Sequence, residues 1–449
     1  MSEKNLTRRE FLKASAGAVG LAMLAGCAAP TPQTVEKVVE KVVTATPAAK
    51  QTTLTFFNWA SAEEVTRKNV EKIIAKFQSE NPGVTIKNVP YGFGEIQNQI
   101  IIATTGGNPP DVMQLSSNMP FELAGMSALE PLDSYVTKEY LADNTPANLQ
   151  AATYQDKLYA IPWSITPHAF WYSKKMMKKF GLDPNKPPQT IDELNAAFKA
   201  IKDQSKGEVY GMGLDTTKRQ YALVHQWPWM LTFGAQPYKD GKPNFDAPEM
   251  VAYFTWLREI TNQKYNPPGL ILRDFRQFSA GEKEVFAWDG PYFKGTLASI
   301  NKDLLDDKVF HETWAVTSIP KGKLGKAVTV TDNHELAISK ACQNKAMAFK
   351  FIQALVSSDL AVTDYYIPLG SIPPLKTLTD KFKDKFADPV SQAYLKDVIP
   401  SSQSLPFGPK FAAASEFMLV AMQQAVTTND SIEKILKDAQ ANLKIVYGL

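Results

Sequence analysis

The chain of 449 residues has few of the residues that mark a metalloprotein or a strongly charged protein. It contains two cysteines, Cys27 and Cys342, and four dispersed histidines, none of them in an H-E-x-x-H motif. Lysine and arginine number 49 against 46 aspartate and glutamate residues. Such a balance does not favour nucleic-acid binding, which depends on neutralising phosphates. We therefore expect no metal centre, no cofactor and no nucleic-acid partner.

The uncharged stretch near the N-terminus is too short for a membrane span. Arg8 and Arg9 precede it, and it runs from Ala14 to Gly26, ending in L-A-G-C. About thirteen residues cannot cross a bilayer, which takes roughly twenty. The pattern is typical of an export signal over residues 1–26, and the arginine pair favours the twin-arginine type. L-A-G-C resembles a lipobox, so we predict a lipid anchor on Cys27, which leaves Cys342 without a disulfide partner.

Residues 27–51 are low in complexity and bounded by prolines. Five valines between Val35 and Val43 fall on one helical stripe, but valine is a poor helix former and so short an isolated helix is marginal in water. We interpret the segment as a flexible tether with an end-to-end distance of roughly 25–30 Å. A coiled-coil stub is the alternative. The mature protein would then be anchored on the outer face of the cytoplasmic membrane.

From residue 52 onward, strand-like and helix-like patterns alternate. The runs from Ser61 to Glu64 and from Thr190 to Glu193 predict capping boxes at two helix starts. Apolar residues repeat at helical spacing after the first of these runs, and the strand-like V-T-I-K-N-V follows Asn81-Pro82-Gly83. Strand, helix and strand in this order predict a parallel pair, and the whole pattern predicts an α/β protein in which helix outweighs strand.

Nine short runs occur in an order typical of one family. They are F-x-x-E-N-P-G-V-T-I (77–86), G-G-N-P-P-D-V (106–112), L-E-P-L-D (129–133), K-L-Y-A-I-P (157–162), F-W-Y-S-K-K (170–175), P-P-Q-T-I-D-E-L (187–194), D-G-K-P-N-F-D-A-P-E (240–249), W-D-G-P-Y (288–292) and H-E-L-A-I-S-K (334–340). Through them the sequence resembles the extracellular solute-binding proteins of ABC transporters, the branch that includes maltose-binding protein and other sugar-binding lipoproteins.

The resemblance implies a two-lobed, periplasmic-binding-protein-like α/β fold whose discontinuous lobes are joined by hinge crossings and close over a ligand. We assign residues 52–162 and 296–350 to lobe 1, and residues 163–295 and 351–449 to lobe 2. Crossings are expected near Ile161 to Ser164, just after Tyr292, and after the H-E-L-A-I-S-K strand. The implied function is capture of a sugar or small oligosaccharide by a monomer and its delivery to permease subunits, without catalysis.

Loops that mix aromatic and polar residues are the candidates for a sugar site. Flat rings cover the C–H faces of a pyranose, while amides, carboxylates and backbone groups bond its hydroxyls. Ligands in open α/β sheets sit beyond the carboxyl ends of strands. The candidates at such ends are Asn58, Trp59, Ser116, Ser117, Asn118, Trp163 and Ser164. Trp227 and Trp229, which flank a proline expected to interrupt regular structure, are further candidates, as are Gly370 and Ser371 unless they form a plain turn.

W-D-G-P-Y resembles the N-G-P-W element of the family, whose aromatic residue stacks on the ligand. By resemblance, Tyr292 takes that role and Asp289 accepts a hydrogen bond from a ligand hydroxyl. Tyrosine in place of tryptophan departs from the family pattern. In D-N-H-E-L-A-I-S-K, Asn333 and His334 stand where many relatives have a glycine pair. They are candidates for ligand contacts, with a purely structural His334 as the alternative.

Two other functions stay open at this point. A secreted glycoside hydrolase would need two carboxylates, for which Asp289 with Glu335 or Glu282 could serve. A binding protein for glycerol phosphate, a peptide or a polyamine is the other. A phosphate would need arginines or a helix N-terminus close to it, and Arg219 and Arg273 are the arginines to consider.

Overall fold

The computed structural model describes residues 51–406 and 408–449. The predicted export signal with Arg8 and Arg9, the predicted lipidation site Cys27 and almost all of the predicted tether lie outside the described residues. No single helix of the described ranges is long and apolar enough to cross a membrane.

The strands of these ranges form a five-stranded sheet, a four-stranded sheet and three two-stranded pairings. They are β1 (Thr52–Asn58), β2 (Val84–Pro90), β3 (Val112–Ser116), β4 (Thr153–Tyr154), β5 (Lys157–Leu158), β6 (Ile161–Ser164), β7 (Ala169–Ser173), β8 (Tyr210–Met212), β9 (Tyr238–Lys239), β10 (Lys242–Pro243), β11 (Glu284–Asp289), β12 (Trp314–Thr317), β13 (Thr329–Val330), β14 (His334–Ile338) and β15 (Ser402–Gln403).

Helices cover both sheets and outweigh the strands, as predicted. They are α1 (Arg67–Glu80), α2 (Phe93–Thr105), α3 (Met119–Gly125), α4 (Lys138–Ala142), α5 (Pro146–Ala151), α6 (Lys174–Lys179), α7 (Ile191–Ser205), α8 (Gln220–Thr232), α9 (Pro248–Asn262), α10 (Leu272–Ala280), α11 (Phe293–Ile300), α12 (Asp307–Thr313), α13 (Lys345–Ser357), α14 (Asp359–Ala361), α15 (Ile367–Leu369), α16 (Lys376–Lys381), α17 (Pro389–Ala393), α18 (Phe411–Thr427) and α19 (Ile432–Tyr447), with short 3₁₀ or π segments at Lys302–Leu305, Val362–Tyr366, Lys383–Phe386, Tyr394–Val398 and Ile399–Ser401.

The five-stranded sheet has the order β2-β1-β3-β14-β6. β1 pairs in parallel with β2 and β3, which confirms the predicted strand, helix and strand unit. β14 runs antiparallel to both β3 and β6. Alternate residues of β1 are buried and the intervening ones are half-buried or exposed, because successive side chains of a strand point to opposite faces.

Two predicted capping boxes have different outcomes. Thr190 and Glu193 form the expected box at the start of α7. The box at Ser61 is wrong, because α1 begins only at Arg67 and its N-cap Thr66 makes no side-chain cap. The backbone N–H of Ser61 instead donates to Oδ1 of Asn58 at 2.7 Å, which holds the turn after β1. The apolar face predicted for α1 is confirmed, since its apolar members are buried.

The four-stranded sheet has the order β12-β7-β11-β8. β7 is antiparallel to both β11 and β12, while β11 and β8 are parallel. A first hydrophobic core surrounds the five-stranded sheet, and a second contains α7, α8, α9, α18 and α19. Phe351, Tyr365 and Tyr394 belong to the first core, so the predicted lobe boundary after residue 350 does not follow this packing.

The chain passes between the two sheets at several points. β6 of the five-stranded sheet is followed by β7 of the four-stranded sheet, so the first crossing occupies residues 165–168, directly after the predicted segment. Residues 290–292 connect β11 to α11, which packs in the first core. Residues 331–333 connect β13 to β14, and this passage is not among the predicted crossings. Residues 399–410, which come after the H-E-L-A-I-S-K strand, lead to α18 in the second core.

Candidate functional site

A cluster of polar side chains lies where these crossings meet, centred on the hydroxyl of Tyr221 in the first turn of α8. That oxygen lies 3.1 Å from Nε2 of His168, 3.3 Å from the hydroxyl of Tyr292 and 3.1 Å from Oδ2 of Asp332. The last three residues belong to three different crossings, at 165–168, 290–292 and 331–333. Together with Ser117, we call these residues the Tyr221 cluster.

Asp332 is the acceptor of the Tyr221 cluster. Its carboxylate accepts hydrogen bonds from Tyr221 and, at 3.2 Å, from the hydroxyl of Ser117, which follows β3. Burial raises the pKa of Asp332 to about 7, although these two hydrogen bonds oppose the rise. Burial also holds the pKa of His168 well below its usual value, so the imidazole is neutral at pH 7. The 3.8 Å contact between the two side chains is therefore no ion pair.

Tyr292 is held by its own segment and by Arg276 of α10. The Arg276 guanidinium lies 4.9 Å from the centre of the Tyr292 ring. A Cβ atom built on Gly290 would lie only 2.6 Å from Cζ of that ring, so only glycine allows this approach. Arg276 is fixed in turn by a bidentate ion pair with Asp289, at 2.7 and 2.9 Å. The structure thus fixes the position of the ring, and the tyrosine hydroxyl is part of the polar network.

Asp289 does not fill its predicted role as a free acceptor. Arg276 occupies both carboxylate oxygens, one of which also accepts the backbone N–H of Gly290 at 2.7 Å. The side chain is almost fully buried. The carboxylate therefore orients Arg276 and the turn that carries Tyr292, because both of its oxygens already accept hydrogen bonds within the protein.

An aromatic wall borders the Tyr221 cluster. The ring centre of Trp59 lies 5.4 Å from that of Phe93 and 4.9 Å from that of His334. The ring centres of Phe93 and Tyr221 are 5.3 Å apart. Gln114 accepts the backbone N–H of Trp59 at 3.0 Å, while its Nε2 lies 3.4 Å from Nδ1 of His334. Burial lowers the pKa of His334 to about 3, so this ring is neutral. The structure thus brings Trp59 and His334 together beside the Tyr221 cluster.

Amide groups extend the site between α2, the β3 end and α8. The hydroxyl of Ser116 donates to Oδ1 of Asn118 at 2.9 Å, and Nδ2 of Asn118 donates to Oε1 of Gln220 at 3.3 Å. Gln97 donates to the same Gln220 oxygen at 3.2 Å. Gln220 precedes Tyr221 in α8, so Ser116 and Asn118 connect to the residue next to the Tyr221 cluster, of which Ser117 is a member.

All four predicted tryptophans are buried in hydrophobic cores, Trp59 and Trp163 in the first and Trp227 and Trp229 in the second. Trp163 is fully buried, stacks on Tyr365 with ring centres 4.4 Å apart, and donates its indole N–H to the backbone oxygen of Leu355 at 3.0 Å. Trp227 and Trp229 are buried within α8, so the expected interruption at Pro228 is wrong. Their rings pack against core residues, Trp227 against Tyr238 and Trp229 against both Trp256 and Trp288. This packing keeps the helix intact although proline supplies no N–H.

The remaining predicted residues support the crossings. Asn58 is buried, and its side chain bonds Asn88 and the backbone of Ser61. Gly370 ends α15 with a positive φ of 77°, and a Cβ on it would lie 2.8 Å from the backbone oxygen of Pro291. Further buried members of the predicted set are Ser164, Asn333 and Ser371.

Most of the chain matches the model of a known protein family. The family model described as bacterial extracellular solute-binding protein matches residues 60–361, more than half of the chain. The chain belongs to this family. The resemblance drawn from the nine sequence runs is therefore confirmed, as is the two-lobed α/β fold. Proteins of this family act outside the cytoplasm, so the solute-binding protein has an extracytoplasmic location.

Curated relatives are similar to this chain over part of its length, and a solved structure shares its fold. The maltotriose-binding protein of Pyrococcus abyssi is 22% identical over 353 residues, which cover 78% of this chain and 73% of that protein. The glycerol-3-phosphate-binding protein of Shigella dysenteriae is 25% identical over 225 residues, 47% of this chain and 50% of that protein. An ABC transporter solute-binding protein of Thermotoga lettingae, solved with α-D-tagatose, superposes with a TM-score of 0.78 at 22% identity, covering 88% of this chain and all of that one.

Several residues of the site escape the sequence analysis, among them four that form or hold the Tyr221 cluster. Tyr221 and Arg276 lie on helices rather than at strand ends, and His168 and Asp332 lie in crossings whose side-chain directions a sequence does not give. A usable signal existed for Asp332, because it is the first residue of the D-N-H-E run. Side chains alternate along an extended segment, so Asp332 shares a side with the predicted His334.

Replacing Trp163 by phenylalanine is expected to lower the free energy of unfolding by about 2 kcal/mol, because it removes buried ring area and the indole hydrogen bond. The affinity for the solute should stay within twofold, since this ring packs against Phe56 and Tyr365, whereas the ring of Trp59, in the same core, contacts Phe93 and His334 beside the Tyr221 cluster. Trp59→Phe is the matched variant, and it should weaken binding by more than fivefold. Denaturant unfolding and calorimetric titration measure the two quantities, and a weakened affinity in the Trp163 variant would restore its predicted ligand role.

Proposed function

We propose that this protein binds a sugar or small oligosaccharide and delivers it to an ABC transporter permease, doing so by closure of its lobes. The observation that carries the proposal is the Tyr221 cluster with its aromatic wall. It joins three hydroxyls, a neutral imidazole and a carboxylate beside the rings of Trp59 and Phe93. Hydroxyl-rich ligands with apolar C–H faces require this combination.

The charge of the site supports a sugar over a phosphate. Arg276 is balanced by Asp289, and Asp332 adds a carboxylate. The two arginines considered from the sequence are placed elsewhere, Arg219 with Asp215 and Arg273 largely exposed beside Asp274. An acidic site repels a phosphate dianion, so glycerol phosphate is the weaker candidate. Among the relatives, the maltotriose-binding protein supports the sugar.

The contacts of the candidate carboxylates also favour binding over hydrolysis. Asp289 is held in its ion pair with Arg276. Glu282 pairs with Lys175, and the side chains of Glu282 and Lys175 are exposed. A hydrolase would need two carboxyl groups free to act on the scissile bond. The family, made up of binding proteins, supports a protein that performs no catalysis.

The membrane attachment completes the proposal. We propose export through the twin-arginine signal with Arg8 and Arg9, and lipidation of Cys27 as the anchor beside the permease. The extracellular character of the family supports this placement. A radioactive fatty acid should be incorporated into the wild-type protein, and Cys27→Ser should abolish this incorporation.

A ligand panel tests the proposed function. Thermal unfolding of the purified protein should shift upward by several degrees with at least one mono- or oligosaccharide, because a ligand that binds only the folded state stabilises it. The panel contains maltose, maltotriose, tagatose, mannobiose, glycerol 3-phosphate and spermidine, and chromogenic glycosides are incubated in parallel. A shift only with glycerol 3-phosphate or spermidine, or turnover of a glycoside, would contradict the proposal.

A further inference from the structure

The first turn of α8 contacts a helix of the other core. α8 packs in the second core, whereas α2 packs in the first through Ile96 and Ile100. The ring of Phe93, the first residue of α2, nevertheless lies 5.3 Å from that of Tyr221, edge to face at an interplanar angle of 85°. The two cores, and with them the two lobes, meet at this pair of rings.

Gln220, the residue before Tyr221, is the hydrogen-bond acceptor at this meeting point. Its Oε1 accepts hydrogen bonds from Nε2 of Gln97 at 3.2 Å and from Nδ2 of Asn118 at 3.3 Å. Gln97 lies one turn after Phe93 in α2, and Asn118 is the N-cap of α3. A side-chain carbonyl oxygen has two lone pairs, and these two donors use both of them. One acceptor of α8 therefore binds two elements of the other lobe.

Further hydrogen bonds fix the two donors. Nε2 of Gln97 also donates to Oε2 of Glu122 in α3 at 3.2 Å. Oδ1 of Asn118 accepts the hydroxyl of Ser116 at 2.9 Å. Side chains that are already held in place lose less conformational freedom when they form one more contact. Gln97 and Asn118 are thus preorganised for Gln220.

Helix α3 continues the contact between the lobes. Phe121 is buried in the second core, although Met119 and Leu123 of the same helix belong to the first. A Cβ atom built on Gly125 would lie 2.9 Å from Cβ of Pro409, in the passage that leads to α18. The lobes therefore meet along α2 and α3, and not only at the crossings.

Contacts of this kind exist only while the lobes are close together. Hinge opening moves rigid lobes apart, so it would separate α8 from α2. Each contact between the two helices lowers the free energy of the closed arrangement alone and shifts the equilibrium toward it. The ring of Tyr221 takes part in these contacts, while its hydroxyl belongs to the Tyr221 cluster. The contacts thus lie directly beside the candidate solute site.

We propose that Gln220 and Tyr221 fasten the closed lobes by binding Gln97, Asn118 and Phe93, an arrangement that we call the α2–α8 latch. The latch sets how long a bound solute is retained, because the solute leaves after the lobes open. This inference rests on the proposed function, in which a solute is held between the lobes.

The dissociation rate of a bound sugar tests the latch. Gln220→Ala in the full-length protein removes the acceptor of two hydrogen bonds, so the rate constant should rise at least roughly fivefold in stopped-flow fluorescence. The association rate constant should stay within about twofold, because the latch forms after the sugar has entered. Gln424→Ala, which changes an exposed glutamine of α18, is the matched control and should leave both rates unchanged.

A double-mutant cycle tests whether Gln97 and Gln220 act through their mutual contact. Gln97→Ala alone should also accelerate dissociation. The double variant should dissociate no more than about twofold faster than Gln220→Ala, since the effects of two residues in contact are not additive in free energy. Fully multiplicative effects would show that the two side chains act independently and would overturn the latch.

A distance measurement without sugar covers the case in which none of the panel binds, a result that would contradict the proposed function alone. Spin labels are attached to Ile102→Cys in α2 and Glu416→Cys in α18, both exposed positions, in full-length protein with Cys27→Ser. Cys342 is buried. Gln220→Ala should shift the distribution of label distances to longer values, because it removes a contact between the lobes. An unchanged distribution would overturn the latch, and so would an unchanged dissociation rate.

Discussion

Replacing Asp332 by asparagine is expected to weaken sugar binding roughly 10- to 150-fold at pH 8, equivalent to about 1.5–3 kcal/mol for the loss of charged hydrogen bonds. Asp332 is the carboxylate of the Tyr221 cluster whose partners are neutral hydroxyls, so a ligand hydroxyl can donate to it. Asparagine has nearly the same shape and can keep the contacts with Ser117 and Tyr221. Calorimetric titration measures the loss, and Asp430→Asn, a change at an exposed aspartate, is the matched control.

The same variant tests the charge state of Asp332. In the wild type, Asp332 has a pKa of about 7, so its carboxylate becomes protonated as pH falls through 7. The sugar affinity of the wild type should therefore decrease from pH 8 to pH 5. The groups facing it are Tyr221, Tyr292, His168 and the Arg276–Asp289 pair. His168 stays neutral over this range, because burial keeps its pKa well below 6.5. The affinity of Asp332→Asn should therefore depend much less on pH, and an equally steep profile in both proteins would contradict the assignment.

Stability without sugar should change in the opposite direction. The pKa of Asp332 is raised on folding, so the folded state holds this proton more tightly than the unfolded chain between pH 3.8 and about 7. The free energy of unfolding therefore falls as pH rises through that window. Asp332→Asn removes this contribution, and its stability relative to wild type should increase from pH 4 to pH 8. Denaturant unfolding at several pH values checks the sign.

Replacing Gly370 by alanine is expected to lower the free energy of unfolding by about 2–5 kcal/mol. An L-residue at a φ of 77° costs roughly 1–2 kcal/mol, and overpacking costs a further 1–3 kcal/mol. The added methyl group would lie 2.8 Å from the backbone oxygen of Pro291. Pro291 precedes Tyr292, so relief of the clash would displace that ring. Sugar affinity should fall together with stability, in contrast to Trp163→Phe.

Gly107 provides the control for the Gly370 variant. Its φ is 78°, but a Cβ atom on it would have no neighbour within 4 Å. Gly107→Ala should therefore cost about 1–2 kcal/mol from backbone conformation alone and leave affinity unchanged. The difference between the two variants measures the contact with Pro291. Equal losses of stability in both, with affinity retained, would show that Gly370 acts only as the end of α15.

Local patterns predicted much of the fold because their causes are local. The parallel pairing of β1 with β2, the apolar face of α1 and the capping box at Thr190 follow from residues close together in the chain. The failed box at Ser61 shows the limit of such patterns. The backbone N–H of Ser61 donates to Asn58, and its hydroxyl oxygen lies 3.3 Å from Oδ1 of Asn88 in β2. The contact with Asn88 is tertiary, and the helix begins later than the local pattern predicts.

The candidate site was predicted in part for a similar reason. Trp59, Ser117 and His334 lie at or next to strand ends, and the sheet brings strand ends together. Trp163 follows the same rule yet points into the first core, because alternate residues of one strand face opposite sides. Asp289 was identified as a polar residue, but its partner Arg276 lies thirteen positions away on α10 and captures both oxygens.

By itself, the sequence determined the family, the alternating α/β order and the mixture of aromatic and polar residues that suits a hydroxylated solute. These features depend on residue type and on spacing along the chain. Only the tertiary structure decided that Tyr221, His168, Tyr292 and Asp332 meet, and that Asn333 instead bonds Asn148 of α5. The physical reason is that these groups come from crossings and helices far apart in the chain, and contacts between distant segments set their directions.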